Sequence, residues 1–313
     1  MYKIVFLDAA TLGDTSLEKI KKHGELICYP YTQPNEVFER IKGADIIITN
    51  KVYIGKEQID SSPSLKLICV AATGTNNVDI PYASSKGIPV KNVAGYSTES
   101  VVQITYALLL SLCCYIEYYD NAVKSGSYSK GQSFTDVTKT YMELSGKTFG
   151  IIGLGTIGHR VADIAAAFGM NVVYYSTSGV SRSDKYKMVS LEELLKTSDV
   201  VSIHAPLNVK TNNLLTLNEL KLMKPTAYLI NIGRGGIVNE ADLVTAVGEK
   251  IIAGAGLDVY TKEPLPLNSP YLLLPDKSSF IFTPHIGWAS AEARERLVSL
   301  MADNIIEFKN TGR

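Results

Sequence analysis

A glycine-rich turn between a strand and a helix constrains this chain more than any other feature. Residues 148–170 read TFGIIGLGTIGHRVADIAAAFGM, and Gly153, Gly155 and Gly158 have the spacing G-x-G-x-x-G. The first glycine permits a tight turn, the second lets the backbone approach a diphosphate, and the third lets the helix pack closely on the strand. Because a second strand-like segment follows at 171–176, the motif predicts a dinucleotide site, although glycines also occur in such turns for packing alone.

Apolar segments of strand length alternate with helical patterns on both sides of this turn. Strands are predicted at 4–8, 26–29, 45–49, 67–71 and 89–92, and then at 148–153, 171–176, 200–205, 227–232, 252–258 and 280–283. Continuous apolar strands separated by helices are typical of parallel sheets covered on both faces. The sequence therefore predicts an α/β fold with two parallel-sheet domains.

Two longer helical patterns and one polar segment complete the chain. A long helix is predicted at 98–125, a loop or arm at 126–139, and a last helix at 289–310 that could return to the first domain. The apolar part of the first helix, VVQITYALLLSLCCYI at 101–116, is shorter than the ~20 residues that a bilayer needs and contains polar side chains. It is interpreted as a buried helix between two domains.

Composition narrows the class of partner. The 313 residues include 31 basic and 31 acidic side chains, so no global charge attracts nucleic acid or an anionic membrane. The four cysteines form no C-x-x-C pair, which favours reduced structural thiols in a cytoplasmic protein over disulfides or a metal site. The first ten residues, MYKIVFLDAA, lack the layout of a signal peptide and are interpreted as a first strand.

Three candidate catalytic residues follow predicted strands of the second half. Arg234 lies in GRGG, Glu263 in TKEP and His285 in TPHIGW. Loops at the carboxyl ends of parallel strands meet at one edge of the sheet, which is where ligands bind. Reduction of a ketone needs a proton donor that titrates near neutrality, a carboxylate can orient such a histidine, and an arginine can hold a substrate carboxylate. Each also has a structural alternative: a turn-capping arginine, a solvated glutamate and a hydrogen-bonded histidine.

Four ordered motifs, GLGTIG, NIGRGG, LDVYTKEP and TPHIGW, resemble the D-2-hydroxyacid dehydrogenase family over nearly the whole chain. In the first half, AATGTNNVD, GIPVKNV and GYSTESVVQ are similar to the glycerate dehydrogenase and hydroxypyruvate reductase branch. The resemblance implies a Rossmann NAD(P)-binding domain at 98–289 and a flavodoxin-like substrate domain made of 1–97 and 290–313. It also implies an active site in the cleft between them, and a homodimer.

The resemblance also implies roles for individual residues. Arg234 would bind and polarise a 2-keto acid, His285 would donate the proton, and Glu263 would pair with His285. Backbone N–H groups around Thr73 and Gly74 would hold the substrate carboxylate.

The implied cofactor is NAD or NADP, without a metal. The residues that would contact it are Gly153, Gly155, Thr156, Ile157 and Gly158 at the diphosphate, Ser176 at the ribose, Ala205, Pro206 and Thr211 on the adenosine side, and Ile232, Gly233 and Asp258 on the nicotinamide side. Ser176 stands where the family usually has an acidic residue that binds the ribose hydroxyls and repels a 2′-phosphate. Strict selectivity for NAD is therefore not expected.

The predicted function is reduction of a small 2-keto acid, hydroxypyruvate or glyoxylate, to the D-2-hydroxy acid. One alternative is another enzyme of the same family, acting on D-lactate, a bulkier 2-keto acid or formate. A second alternative is a dinucleotide-sensing binding protein, because the same fold and catalytic residues occur in transcriptional corepressors. Turnover of a 2-keto acid distinguishes an enzyme from a sensor.

Overall fold

The computed structural model describes residues 1–312 and divides the chain into two compact units. The first unit contains Met1–Ser97 and the chain from Trp288 onward, and the second contains Thr98–Gly287. The predicted boundary after residue 97 coincides with this division, and the second boundary lies two residues before the predicted one. Trp288 belongs to the first unit, where its ring makes an edge contact with Tyr96 at 6.4 Å.

The first unit is built on a five-stranded sheet in which every strand pair is parallel. Its strands are β1 (Tyr2–Phe6), β2 (Gly24–Cys28), β3 (Ile46–Thr49), β4 (Leu67–Val70) and β5 (Val90–Lys91). Short helices connect them: α1 (Glu18–Lys21), α2 (Val37–Arg40), α3 (Lys56–Asp60) and α4 (Ile80–Ser85), with 3-10 helices at Ala9–Leu12 and Pro34–Glu36. The strand order β2-β1-β3-β4-β5 is the flavodoxin-like order.

Both faces of this sheet are buried, because successive side chains of a strand point to opposite faces. In β1, Ile4 and Phe6 join one apolar cluster and Val5 joins another, and all three are fully buried. The last helix, α12 (Ala291–Thr311), covers the first of these faces with Leu297, Met301, Ile305 and others. The chain therefore returns to complete the core of its first unit.

The second unit is built on a seven-stranded sheet that is also entirely parallel. Its strands are β6 (Thr148–Ile152), β7 (Asn171–Tyr175), β8 (Lys187–Met188), β9 (Val200–Ile203), β10 (Tyr228–Asn231), β11 (Gly254–Leu257) and β12 (Phe280–Phe282). The order β8-β7-β6-β9-β10-β11, followed by β12, reproduces the Rossmann order 3-2-1-4-5-6 with one added strand. The predicted fold class is confirmed.

Helices cover both faces of the second sheet. They are α5 (Thr98–Cys113), α6 (Ile116–Lys124), α7 (Thr156–Ala167), α8 (Leu191–Thr197), α9 (Leu217–Leu220), α10 (Glu240–Gly248) and α11 (Pro270–Leu273). The predicted single helix at 98–125 is wrong, because the chain breaks between α5 and α6 at Tyr115, which has φ 54°. A residue in this left-handed conformation cannot continue a right-handed helix.

Within residues 1–312, no single helix is long and apolar enough to span a bilayer. By length and composition alone, α5 and α6 together would suffice, but they are bent by 65°. In the structure α5 packs on the second sheet, where Leu108, Leu109 and Leu112 are buried.

All four cysteines are free thiols, of which Cys69 and Cys113 are buried.

Candidate active site

The glycine turn joins β6 to α7 and brings them very close together. Gly153 has φ 93°, which favours glycine, and it starts the turn directly after Ile152. A Cβ atom on Gly158 would lie 2.3 Å from the carbonyl oxygen of Gly153, so no larger residue fits without moving the helix. A Cβ atom on Gly155, in contrast, would meet no heavy atom within 4 Å. The middle glycine therefore leaves open space in front of the backbone.

The start of α7 borders that space with backbone N–H groups that have no hydrogen-bond partner in the described part of the chain. The first bond into the helix runs from the N–H of His159 to the carbonyl of Gly155 at 2.8 Å, so the N–H groups of Thr156 and Ile157 precede it. No side chain caps this end, and Gly155 and Thr156 are exposed. A helix N-terminus of this kind binds a diphosphate through its N–H groups and dipole. These residues fit a dinucleotide.

The loop after β7 has an inward-turned serine and an outward arginine. Ser176 is 8% exposed, and its hydroxyl donates to the carbonyl of Val180 at 2.7 Å. Arg182 is exposed, its N–H donates to the Tyr174 hydroxyl at 2.9 Å, and its carbonyl lies 2.9 Å from His159 Nε2. Among the 312 described residues its guanidinium makes no hydrogen bond. Beyond β7, the loop therefore carries the guanidinium of Arg182, and position 176 carries no carboxylate.

The turn after β9 contains the residues predicted on the adenosine side. Thr211 is fully buried, and its hydroxyl donates to the carbonyl of Pro206 at 2.6 Å and accepts from the N–H of Asn208 at 2.8 Å. The side chain of Thr211 thus closes the turn that begins at Pro206. Ala205 is buried and Pro206 is exposed, so Pro206 presents the surface of this turn.

The loop after β10 carries Arg234. Asn231, at the end of the strand, clamps this loop by donating from Nδ2 to the carbonyl of Arg234 at 3.0 Å and accepting from the N–H of Gly233 at 3.1 Å. The guanidinium of Arg234 donates from Nη1 to the carbonyl of Gly233 at 2.7 Å. This bond folds the side chain back over the loop and leaves its other N–H groups for a ligand.

Glu263 and His285 form a direct pair. Nδ1 of His285 lies 2.7 Å from Oε2 of Glu263, and the two side chains are 23% and 30% exposed. The other carboxylate oxygen of Glu263 accepts from the N–H of Tyr260 at 3.0 Å. With Nδ1 engaged by the carboxylate, Nε2 is the ring nitrogen available to a substrate.

Asp258 holds the loop that carries His285. Its carboxylate accepts from the Thr283 hydroxyl at 2.6 Å and from the N–H groups of Ile286 and Gly287, each at 2.8 Å. Asp258 is 1% exposed; burial raises the pKa of its carboxyl group, and these three hydrogen bonds counteract that rise. His285 itself has φ 54°, an uncommon value for a residue with a Cβ atom. The predicted cofactor residue Asp258 thus also serves as an anchor for His285.

The loops of Arg234 and Glu263 lie against each other. A Cβ atom on Gly235 would lie 2.0 Å from the carbonyl of Tyr260, so only glycine allows the two backbones to approach this closely. Ile232, just before this loop, is 7% exposed. The three residues predicted to be catalytic therefore lie on neighbouring loops at the carboxyl edge of one sheet.

Thr73 and Gly74 lie at the carboxyl edge of the other sheet. They follow β4, and Thr73 is fixed there because its hydroxyl donates to the carbonyl of Val93 at 2.9 Å, while Asn92 donates to its carbonyl at 2.6 Å. Gly74 is half-buried beside it. Their proposed role toward a substrate carboxylate stays a prediction.

Three residues that organise the site were missed by sequence reasoning. Asn231 clamps the Arg234 loop, Tyr260 bonds to Glu263 and to the backbone of the His285 loop at Thr283, and Thr283 bonds to Asp258. An asparagine just before a glycine-rich turn is a usable signal, because asparagine bonds to nearby backbone in turns. The other two act across 23 and 25 residues of sequence, which no local pattern reports.

Within residues 1–312, no group of three or more His, Cys, Asp and Glu side chains is placed to hold a metal ion.

Comparison with known proteins agrees with this architecture. Residues 106–287, more than half of the chain, match the family model of the D-isomer specific 2-hydroxyacid dehydrogenase NAD-binding domain. A hydroxypyruvate reductase of Blautia hydrogenotrophica is 37% identical, with 98% of this chain and 96% of that protein covered. A glycerate dehydrogenase of Methylorubrum extorquens is 39% identical, with the same coverage.

A solved structure of an acyclic imino acid reductase in complex with NADPH and D-Arg is 31% identical, with a TM-score of 0.88 and coverage of 98% of this chain and 97% of that one. The resemblance seen in the motifs is thereby confirmed over both units. By sequence, by fold and by the arrangement of its strand-end loops, the chain belongs to the D-isomer-specific 2-hydroxyacid dehydrogenase family.

Proposed function

We propose that this protein reduces hydroxypyruvate or glyoxylate to the corresponding 2-hydroxy acid, giving the D isomer where C2 becomes a stereocentre, with NADH or NADPH. The observation that carries the proposal is the His285–Glu263 pair at 2.7 Å, held on the same sheet edge as the glycine turn. The choice of substrate is supported by the relatives named hydroxypyruvate reductase and glycerate dehydrogenase.

In this proposal each side chain has one task. The guanidinium of Arg234 binds the 2-keto acid and polarises its keto group, because its planar fork matches a carboxylate and its charge stabilises developing negative charge on oxygen. Nε2 of His285 donates a proton to the keto oxygen during reduction and accepts it back during oxidation. Glu263 keeps Nδ1 as the protonated nitrogen and stabilises the imidazolium. A bound reduced nicotinamide supplies the hydride.

The proposal includes Thr73 and Gly74 as backbone donors to the substrate carboxylate. On the cofactor side, Thr156 and Ile157 would donate N–H groups to the diphosphate, and the loops at Pro206 and Gly233 would flank the adenosine and nicotinamide ends. These assignments are supported by the positions of the residues after parallel strands.

We infer that both NADH and NADPH are accepted. Position 176 carries no carboxylate to repel a 2′-phosphate, and Arg182 presents an exposed guanidinium on the same loop. Ser176 itself donates inward to Val180, so its hydroxyl is not the expected phosphate donor. The exposed Ser178 and the guanidinium of Arg182 are better placed for that contact.

A cytoplasmic homodimer is the proposed state of the protein. All four cysteines are free thiols, which suits a reducing compartment. The segment from α6 to Tyr141 exposes several large apolar side chains, which suits association with a second copy: Ile116, Val123, Phe134, Val137 and Tyr141. Light scattering should give twice the mass of one chain, and a monomer mass would refute the dimer. Cell fractionation tests the compartment.

The test of the proposed function is a kinetic screen. Hydroxypyruvate, glyoxylate, pyruvate, longer 2-keto acids and, in the oxidative direction, formate are compared with both cofactors by absorbance of the reduced nicotinamide. The proposal expects the highest kcat/KM with hydroxypyruvate or glyoxylate. Preference for pyruvate or a bulkier acid would point to another dehydrogenase of the family, and cofactor binding without any turnover would indicate a dinucleotide sensor.

A further inference from the structure

Tyr260 contacts both loops that form the His–Glu pair. Its backbone N–H donates to Oε1 of Glu263 at 3.0 Å, which leaves Oε2 of Glu263 facing Nδ1 of His285 at 2.7 Å. Its hydroxyl reaches across to the other loop and donates to the carbonyl of Thr283 at 2.9 Å. One residue therefore fixes the carboxylate behind the imidazole and also the backbone from which the imidazole extends.

The carbonyl of Thr283 controls the backbone of His285. It accepts a second bond from the N–H of His285 at 3.1 Å, which closes a tight turn around Pro284. His285 then adopts φ 54°, a conformation that persists only where its surroundings hold it. Asp258 fixes the chain after His285 by accepting from the N–H of Ile286, and the Tyr260 hydroxyl fixes the chain before His285 by donating to the carbonyl of Thr283.

The Tyr260 hydroxyl is a reliable donor. Tyr260 is 8% exposed, and burial raises the pKa of its hydroxyl, with the nearby carboxylates of Asp258, Glu263 and Glu240 acting in the same direction. The hydroxyl therefore stays protonated across the working pH range of the protein. Among residues 1–312, the other acceptor that this hydroxyl reaches is the carbonyl of Leu257 at 3.4 Å, so the bond to Thr283 is the better one.

We propose that Tyr260 is a positioning residue for the proton donor: its hydroxyl holds the turn at Thr283 so that His285 keeps Nδ1 on Glu263 and presents Nε2 to the substrate. The inference rests on the proposed function only for the role of His285 as the acid. A phenylalanine at 260 would fill the same volume but leave the Thr283 carbonyl with one donor fewer. The ring of His285 would then sample orientations in which Nδ1 is not bonded.

The matched pair of variants is Tyr260→Phe and Tyr271→Phe. Tyr271 is 2% exposed, lies in the same apolar cluster with its ring 6.2 Å from that of Tyr260, and has no hydrogen bond from its hydroxyl within residues 1–312. Both substitutions remove the hydroxyl of a buried tyrosine and preserve its aromatic ring. Only the first removes a bond to the His285 loop.

Two readouts are compared in wild type and both variants. The first is the tautomer of His285 from ¹⁵N shifts of labelled histidine, which is tractable because the chain has four histidines and His285→Gln identifies the signal. The second is kcat for keto acid reduction alongside KM for NADH. Tyr260→Phe should mix the two tautomers of His285 and lower kcat about 3- to 10-fold, which is the effect of losing one hydrogen bond. Its KM for NADH should stay as in wild type. Tyr271→Phe should match wild type in tautomer, kcat and KM for NADH.

The outcomes separate this inference from the function it builds on. If Tyr260→Phe matches Tyr271→Phe in tautomer or in kcat, the positioning role is overturned. If wild type reduces no 2-keto acid but Tyr260→Phe still mixes the tautomers, the proposed function fails and the hold of Tyr260 on the His285 ring stands.

Discussion

Replacing Gly155 by alanine separates cofactor binding from folding. Gly155 has φ −84° and ψ −165°, which alanine adopts without strain, and the added methyl group would meet no protein atom within 4 Å. The folded structure should therefore tolerate Gly155→Ala. Because alanine has less freedom than glycine in the unfolded chain, the variant should gain about 0.4–1 kcal/mol of stability.

Gly158→Ala provides the opposite case in the same motif. Its methyl group would lie 2.3 Å from the carbonyl oxygen of Gly153, whereas ordinary contact begins at 3.4 Å. The helix must therefore move by roughly 1 Å, and overpacking of this kind costs about 1–3 kcal/mol. For a domain of this size, each kcal/mol lowers Tm by about 2–4 °C.

The assay is thermal unfolding with and without NADH, together with a direct binding titration. In the free protein, Gly155→Ala should have a Tm at or up to about 4 °C above that of wild type, as its expected gain in stability implies. It should lose most of the NADH-induced rise in Tm, because the methyl group occupies the space in front of the N–H groups of Thr156 and Ile157. Loss of one hydrogen bond to the charged diphosphate costs about 1.5–3 kcal/mol of binding free energy, which raises the Kd for NADH roughly 10- to 150-fold. Wild-type affinity in Gly155→Ala would show that the diphosphate does not lie at this turn.

Three further outcomes are expected. Arg234→Lys keeps the charge but loses the planar fork, so kcat/KM for the keto acid should fall roughly 10- to 100-fold at unchanged NADH affinity. Ser176→Asp should lower kcat/KM with NADPH far more than with NADH, and equal losses would refute the assignment of position 176. Burial lowers the pKa of His204 to about 3, so as the pH falls below about 6.5 the unfolded chain binds a proton at this histidine before the folded chain does. The free energy of unfolding that the neutral His204 contributes is therefore fully present above about pH 6.5 and falls by about 2 kcal/mol by pH 5. In His204→Asn, urea unfolding should show a correspondingly flatter pH dependence over this range.

The sequence predicted the sheets better than it predicted the helices. Continuous apolar segments gave every strand of both sheets except β8 within a few residues, since a buried parallel strand must be apolar throughout. The edge strand β8 was missed, because it is only two residues long and both of them, Lys187 and Met188, are exposed. The break at Tyr115 was missed, because CCYI contains neither glycine nor proline to mark it. Helix α8 could have been found, since Ser190 caps it by accepting from the N–H of Glu193 at 3.0 Å, a pattern visible as Ser followed three residues later by Glu.

For the candidate site, strand ends were a sufficient guide to the residues but not to what holds them. Arg234, Glu263 and His285 could be selected because they follow parallel strands. The buried carboxylate of Asp258 looked like a cofactor contact from its position, yet the structure shows both of its oxygens bonded to the His285 loop. Such anchors depend on folding, which brings together groups 25 or more residues apart.

The central claim, that His285 protonates the keto oxygen, is tested most directly by keto acid reduction in His285→Ala with NADH affinity measured in parallel. Loss of general acid catalysis should lower kcat about 100- to 10,000-fold, and Kd for NADH should change little, because the diphosphate turn at Gly155 is untouched. Glu263→Gln, which retains the shape of the side chain without its charge, should fall between wild type and His285→Ala. Near-normal kcat with hydroxypyruvate and glyoxylate in His285→Ala would contradict the account.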